Sequence, residues 1–106
     1  MIANTPKPPY YAVIFTSTRT NVDDGYAAMS EKMVELAKQQ PGYLGHESAR
    51  NEVGITVSYW ASLEAIKNWK AVSDHMEAQH KGRKQWYSAY TTRICLVERD
   101  YSFNNE

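Results

Sequence analysis

Two histidines, His75 and His80, stand five residues apart, and Trp69 precedes both. An imidazole changes charge near neutral pH, so either one could act as a general base or a ligand. On a helix of 3.6 residues per turn, five positions correspond to about 140°, so only one of the pair is expected to face a given pocket. The His75-Met-Glu-Ala-Gln-His80 stretch lacks the i, i+4 histidine pair of a zinc helix, and no metal site is expected. The plainer reading of each histidine is a solvent-facing or capping side chain near a helix end, and His46 is a weaker candidate still.

Three tryptophans and eight tyrosines in 106 residues are more aromatic surface than a small core requires. An aromatic-lined cavity built from Tyr59, Trp69, Tyr87 and Tyr90 is one expectation. Against it stands the reading in which Trp60, Trp69 and Trp86 fill a helix–sheet core or a subunit seam. Arg93 sits among apolar strand residues, where an unpaired guanidinium would be costly. It is expected either to clamp an anion or phenolate or to pair with Glu47 or Glu98. Cys95, the single cysteine, reads as a small apolar side chain rather than a nucleophile.

These residues need elements to position them. Pro6, Pro8 and Pro9 make residues 1–9 an arm, and Tyr10 to Arg19 are aromatic, β-branched or small, as in a strand. Asn21 and Asp23 offer N-cap oxygens for a helix whose inner stripe is Tyr26, Met29, Met33 and Leu36, and Pro41-Gly42 stops it. Tyr43–Arg50 and Ile55–Trp60 read as an antiparallel hairpin around Asn51-Glu52-Val53-Gly54. Ser62 caps a second helix with Leu63, Ile66, Trp69 and Val72 inward. Ser73 and Asp74 suggest a fresh cap and a break, with a further helical piece running to about Lys81 and ending at Gly82. A last strand runs from Trp86 to about Tyr101. The order βαββαβ predicts a ferredoxin-like α+β sandwich with an antiparallel sheet and helices on one face. One domain is expected over 10–103, with a tail at 104–106. The uncovered sheet face should meet a second copy.

Composition narrows the partners. Twelve basic and twelve acidic residues cancel, which argues against nucleic acid and anionic membrane surfaces. The apolar stretch from Tyr10 to Phe15 is far short of the roughly 18 residues of a membrane span, and a lone cysteine suits a reducing cytoplasm.

Taken together, Pro41-Gly42-Tyr43-Leu44-Gly45, Glu47-Ser48-Ala49-Arg50, Gly54-Ile55-Thr56-Val57-Ser58-Tyr59-Trp60, Trp69-Lys70, Asp74-His75, Trp86-Tyr87, Tyr90, Arg93 and Val97-Glu98-Arg99 resemble the antibiotic biosynthesis monooxygenase family. The resemblance runs from about Tyr10 to Tyr101 and implies a dimeric α+β barrel. It also implies oxygenation of a small or polycyclic aromatic substrate with O2, without flavin or metal. Haem is the cofactor of a second branch of relatives, which bind or degrade it with a histidine on the second helix, a nearby tryptophan and a first-strand asparagine. Trp69 matches that tryptophan, and His80 matches the histidine with one residue inserted. Thr16, Ser17 and Thr18 stand where the asparagine would be. A third implication is a dimeric small-ligand-binding domain without turnover.

Overall fold

The computed structural model describes residues 1–80 and 83–105, and for His80, Arg83 and Lys84 the backbone alone. The elements are β1 (Tyr10–Arg19), α1 (Tyr26–Lys38), β2 (Tyr43–Arg50), β3 (Gly54–Trp60), α2 (Leu63–His80), α3 (Arg83–Trp86) and β4 (Tyr87–Val97). The four strands lie in the order β2-β3-β1-β4, with every neighbouring pair antiparallel. This is the ferredoxin-like α+β fold expected from the element order.

Strand alternation sorts the side chains. Trp60 pairs with Tyr11, and Ser58 with Val13, which in turn pairs with Ile94. These residues share the helix-bearing face. Its core is Trp60, Ala37, Ala65 and Ile66, with Tyr11, Val13, Tyr43 and Trp69 packed against it. The Trp60 side chain is fully buried, and its Nε1–H donates to Ser58 Oγ at 2.8 Å, so the indole's polar edge is satisfied.

The opposite face carries Tyr10, Ala12 and Ile14 of β1, Ile55, Val57 and Tyr59 of β3, and Arg93, Cys95 and Val97 of β4. The N-terminal arm reaches this side. Ala3 N–H donates to Glu47 Oε2 at 2.9 Å, Thr5 Oγ1 donates to the Tyr10 hydroxyl at 3.0 Å, and that hydroxyl donates to Asp100 Oδ2 at 2.6 Å.

Several local expectations change. Helix α1 begins behind Gly25, which takes the left-handed conformation (φ 78°), and no side chain caps it. Asp23 instead pairs with Arg19 at 2.8 Å, and its carbonyl accepts from Tyr26 N–H. Ser62 does cap α2, accepting from Ala65 N–H at 3.0 Å. The expected break at Ser73-Asp74 is absent, and α2 runs unbroken from Leu63 to His80. Ser73 Oγ donates back to the Lys70 carbonyl, and the Asp74 carboxylate accepts from Lys70 Nζ at 2.9 Å, so both potential caps are engaged inside one helix. Leu63 is exposed, because Ala65 and Ile66 turn toward the sheet in its place. Strand β4 starts at Tyr87 after the short α3 and ends at Val97, short of Tyr101. The expected helix stop at Lys81-Gly82 falls outside the described residues.

Candidate active site

Between α1, α2 and the helix-facing side of the sheet lies a cleft of about 760 Å³. Its apolar walls come from Met29 and Met33 of α1, Ile66 and Trp69 of α2, Val13 and Phe15 of β1, and Ile94 of β4. The helical stripes and the two-residue strand period bring these side chains together. The Trp69 indole stacks on Trp60, with centroids 6.0 Å apart, so the core holds one wall of the cleft in place.

Aromatic contacts build the end of the cleft near the start of β4. Phe15 meets Tyr87 edge-on at 5.5 Å and Tyr90 at 5.4 Å, and Tyr26 meets Trp86 and Tyr87 edge-on at 5.8 and 6.0 Å. Burial, aided by a hydrogen bond with Tyr26, pushes the Tyr87 phenol well above the ordinary tyrosine range. The nearby Arg50 and Arg19 guanidinium groups pull the other way but do not prevail. Tyr87 therefore remains a neutral phenol at physiological pH. Arg19 lies 3.4 Å from the Tyr26 ring centroid, and its Nε–H donates to the Trp86 carbonyl at 3.0 Å. Trp86 Nε1–H donates to the Asp24 carbonyl at 2.8 Å, which ties α3 to the entry of α1.

Polar groups enter from β2 and α2. His46 lines the cleft, with Nδ1 2.5 Å from the Tyr43 hydroxyl, and burial raises the Tyr43 phenol so that it too keeps its proton. Arg50, at the end of β2, also lines the cleft and donates from Nη2 to Ser17 Oγ of β1. Asp74, held by Lys70, and Glu77 line the α2 side.

Of the residues singled out in the sequence, Trp69, Tyr87 and Tyr90 converge on this cleft. Tyr59 does not line it. Alternating with Trp60, it points to the other sheet face, where its hydroxyl donates to Glu47 Oε1 at 2.7 Å. Burial and that bond push its phenol up to about 12. Arg93, paired in register with Ile14, lies on the same far face and is exposed. Among the described residues it forms no ion pair, and Glu47 is engaged by Tyr59 and Ala3 instead. His75 is exposed on α2, with Nε2 3.3 Å from Gln79 Nε2, and is not part of the cleft lining. The His80 side chain lies outside the described residues. Cys95 is half-buried on the far face.

Sequence reasoning ranked His46 below the other histidines, gave Tyr26 only a place in a helix stripe and gave Arg50 no role. The signal was present for His46 and Arg50: His46, Ser48 and Arg50 alternate along β2, so any strand pairing that turns one toward the helices turns all three.

The described side chains assemble no haem site: His75 is not part of the cleft lining, and Ser17, one of the three residues standing where the asparagine is expected, accepts a hydrogen bond from Arg50, while the matching His80 side chain lies outside the described residues. Among the described residues no three His, Cys, Asp or Glu side chains gather as a metal-binding group.

Similarity to known proteins agrees with this architecture. The family model described as antibiotic biosynthesis monooxygenase matches residues 9–81. The chain is 48% identical over 104 residues to "Uncharacterized protein YqjZ" of Bacillus subtilis (strain 168), covering 96% of this chain and 91% of that one. Among solved structures, protein SO0527 from Shewanella oneidensis superposes with a TM-score of 0.72 at 7% identity, covering 93% of this chain and 100% of the other. SnoaB, a cofactor-independent oxygenase from Streptomyces nogalater, superposes with a TM-score of 0.67 at 12% identity, covering 92% and 100%. At these identities the two structures support the fold, while the match over residues 9–81 carries the assignment: the chain belongs to the antibiotic biosynthesis monooxygenase family.

Proposed function

We propose that this protein is an oxygenase that uses O2 on a small or polycyclic aromatic phenol, without flavin or metal, inside the cleft between the helices and the sheet. The observation that carries the reading is the convergence of Trp69, Tyr87 and Tyr90, with Phe15, on one cleft of ligand-sized volume. Aromatic walls hold a planar ring by stacking, and the neutral Tyr87 phenol can hydrogen-bond a ring oxygen. Once ionised, an electron-rich phenol can react directly with O2: a new C–O bond forms at ring carbon, water leaves, and phenol plus O2 becomes quinone plus water. The protein binds and orients the ring and keeps bulk water away from it.

The working unit is a homodimer joined through the sheet face opposite the helices, located in the cytoplasm. Ile55 is 45% exposed on that face, with Ile14 and Val57 beside it, and a second copy would cover this apolar surface. No helix among the described residues is long and apolar enough to cross a membrane.

The test is oxygen consumption by the metal-chelated protein with a panel of naphthols and anthrones. The expected result is O2 uptake matched mole for mole by quinone, and reduced by Trp69→Ala and Tyr87→Phe. Binding without any O2 uptake would replace this reading with that of a small-ligand-binding domain.

A further inference from the structure

Three residues of the cleft end near β2 line up across three strands, with the Arg50 side chain partly open to solvent. Arg50 of β2 pairs in register with Gly54 of β3, and Gly54 pairs with Ser17 of β1. The Arg50 side chain crosses this row, and its Nη2 donates to the hydroxyl of Ser17, which is only 2% exposed. The crossing depends on the middle residue being glycine, because a Cβ built on Gly54 would overlap the Arg50 guanidinium. A flexible cationic side chain is thereby laid along the sheet at a fixed place in the cleft lining.

Among the described residues no carboxylate forms an ion pair with this guanidinium. The ion pairs among them are Arg19–Asp23, Lys38–Glu35 and Lys70–Asp74, and the one polar partner shown for Arg50 is a neutral hydroxyl. Arg50 also lies close enough to Tyr87 for its charge to act on that phenol. A guanidinium presents several donors in a rigid plane and matches a planar oxyanion.

We infer that Arg50, held over Gly54 by Ser17, is the anion-recognising group of the cleft, and that the preferred ligands are aromatic anions, whose ring lies against Tyr87, Tyr90 and Trp69 while the oxyanion meets the guanidinium. This rests on the cleft being the ligand site, and it deepens that reading by naming the charge of the ligand and the residue that selects it. It also supplies what the oxygenation step lacks, a group that stabilises the ionised form of the substrate. The arginine expected to clamp an anion, Arg93, is on the other sheet face, and Arg50 takes that role. Two carboxylates oppose it on the α2 wall: Asp74, which is held by Lys70 at 2.9 Å, and Glu77.

The test compares 2-naphthoate with 2-naphthamide, which share a ring system and differ in charge, by titration calorimetry at neutral pH. The wild-type chain is expected to bind the naphthoate about tenfold more tightly, in line with a charge-assisted hydrogen bond. Arg50→Gln should abolish that preference by weakening naphthoate binding far more than naphthamide binding. Arg50→Lys, which keeps the charge but not the planar fork, should retain part of it. Ser17→Ala, which removes the tether, should weaken it. Circular dichroism of each variant confirms that the fold is retained. Equal affinity for the two ligands in the wild type, tighter binding of the amide, or a preference that survives in Arg50→Gln would overturn the assignment while leaving the aromatic cleft standing. Binding of neither ligand would overturn both.

Discussion

Trp60 and Trp69 stack with their planes inclined by only 21° and their centroids 6.0 Å apart, one ring fully buried and the other lining the cleft. Core packing and ligand binding therefore share a surface. Trp69→Ala should lower stability by about 2 kcal/mol, less than a fully buried aromatic truncation because Trp69 is half-buried. The same variant should weaken naphthamide binding severalfold, while Trp69→Phe should preserve most of both. Urea denaturation and calorimetry on the same preparations check this.

Gly54 leaves the space in which Arg50 lies, so Gly54→Ala should act on the ligand through Arg50 rather than on the fold. The overlapping atoms are the far end of a flexible side chain, which can swing away. The expected outcome is a stability change within about 0.5 kcal/mol, together with a loss of the preference for naphthoate over naphthamide.

Ser62 holds the start of the helix that carries Trp69. Its Oγ accepts from Ala65 N–H at 3.0 Å. Ser62→Ala should cost about 1 kcal/mol, and Ser62→Asp should restore most of it. Thermal unfolding of the three proteins gives the comparison.

Burial of Tyr59 and its bond with Glu47 make stability depend on pH at both extremes. Tyr59 is raised from 10.0 to about 12 in the folded chain. Its contribution is complete below the unfolded value of 10.0 and is lost as pH rises toward 12. Glu47 is held below its ordinary 4.5, chiefly by the Tyr59 hydroxyl and then by Ala3 N–H. Its contribution is present above 4.5 and disappears as the pH falls through the lowered folded value. Tyr59→Phe should flatten the alkaline limb, and Glu47→Gln the acidic one, in denaturation midpoints measured across pH.

Ile55 tests the face assigned to the second copy. It is 45% exposed, and by strand alternation it shares a face with Val57 and Tyr59. Ile55→Asp should convert a dimer to a monomer in sedimentation velocity, because a carboxylate buried at an apolar seam is strongly unfavourable. If the wild-type chain sediments as a monomer, the dimer reading fails.

Much of the fold was legible in the amino-acid order because it is written in local rules. The β-branched and aromatic run of Tyr10–Arg19 and the hairpin from Tyr43 to Trp60 declare strands, and the Ser62 hydroxyl declares a helix start; all three stand in the structure. The surplus of tryptophan and tyrosine suggested a cavity lined by Tyr59, Trp69, Tyr87 and Tyr90, and all but Tyr59 line one cleft. Tertiary structure decided what local rules leave open. A strand shows two faces, and its sequence does not say which one the helices will cover; pairing β3 so that Trp60 faces the helices sends Tyr59 to the other side, and pairing β4 with β1 does the same to Arg93. Ser73 and Asp74 have the chemistry of a helix start, yet Lys70 lies within one turn and engages both, so the helix continues. Arg50 gained its place from the missing side chain of Gly54, across the hairpin, and from the buried hydroxyl of Ser17, distant in the chain, which only the assembled sheet brings under it.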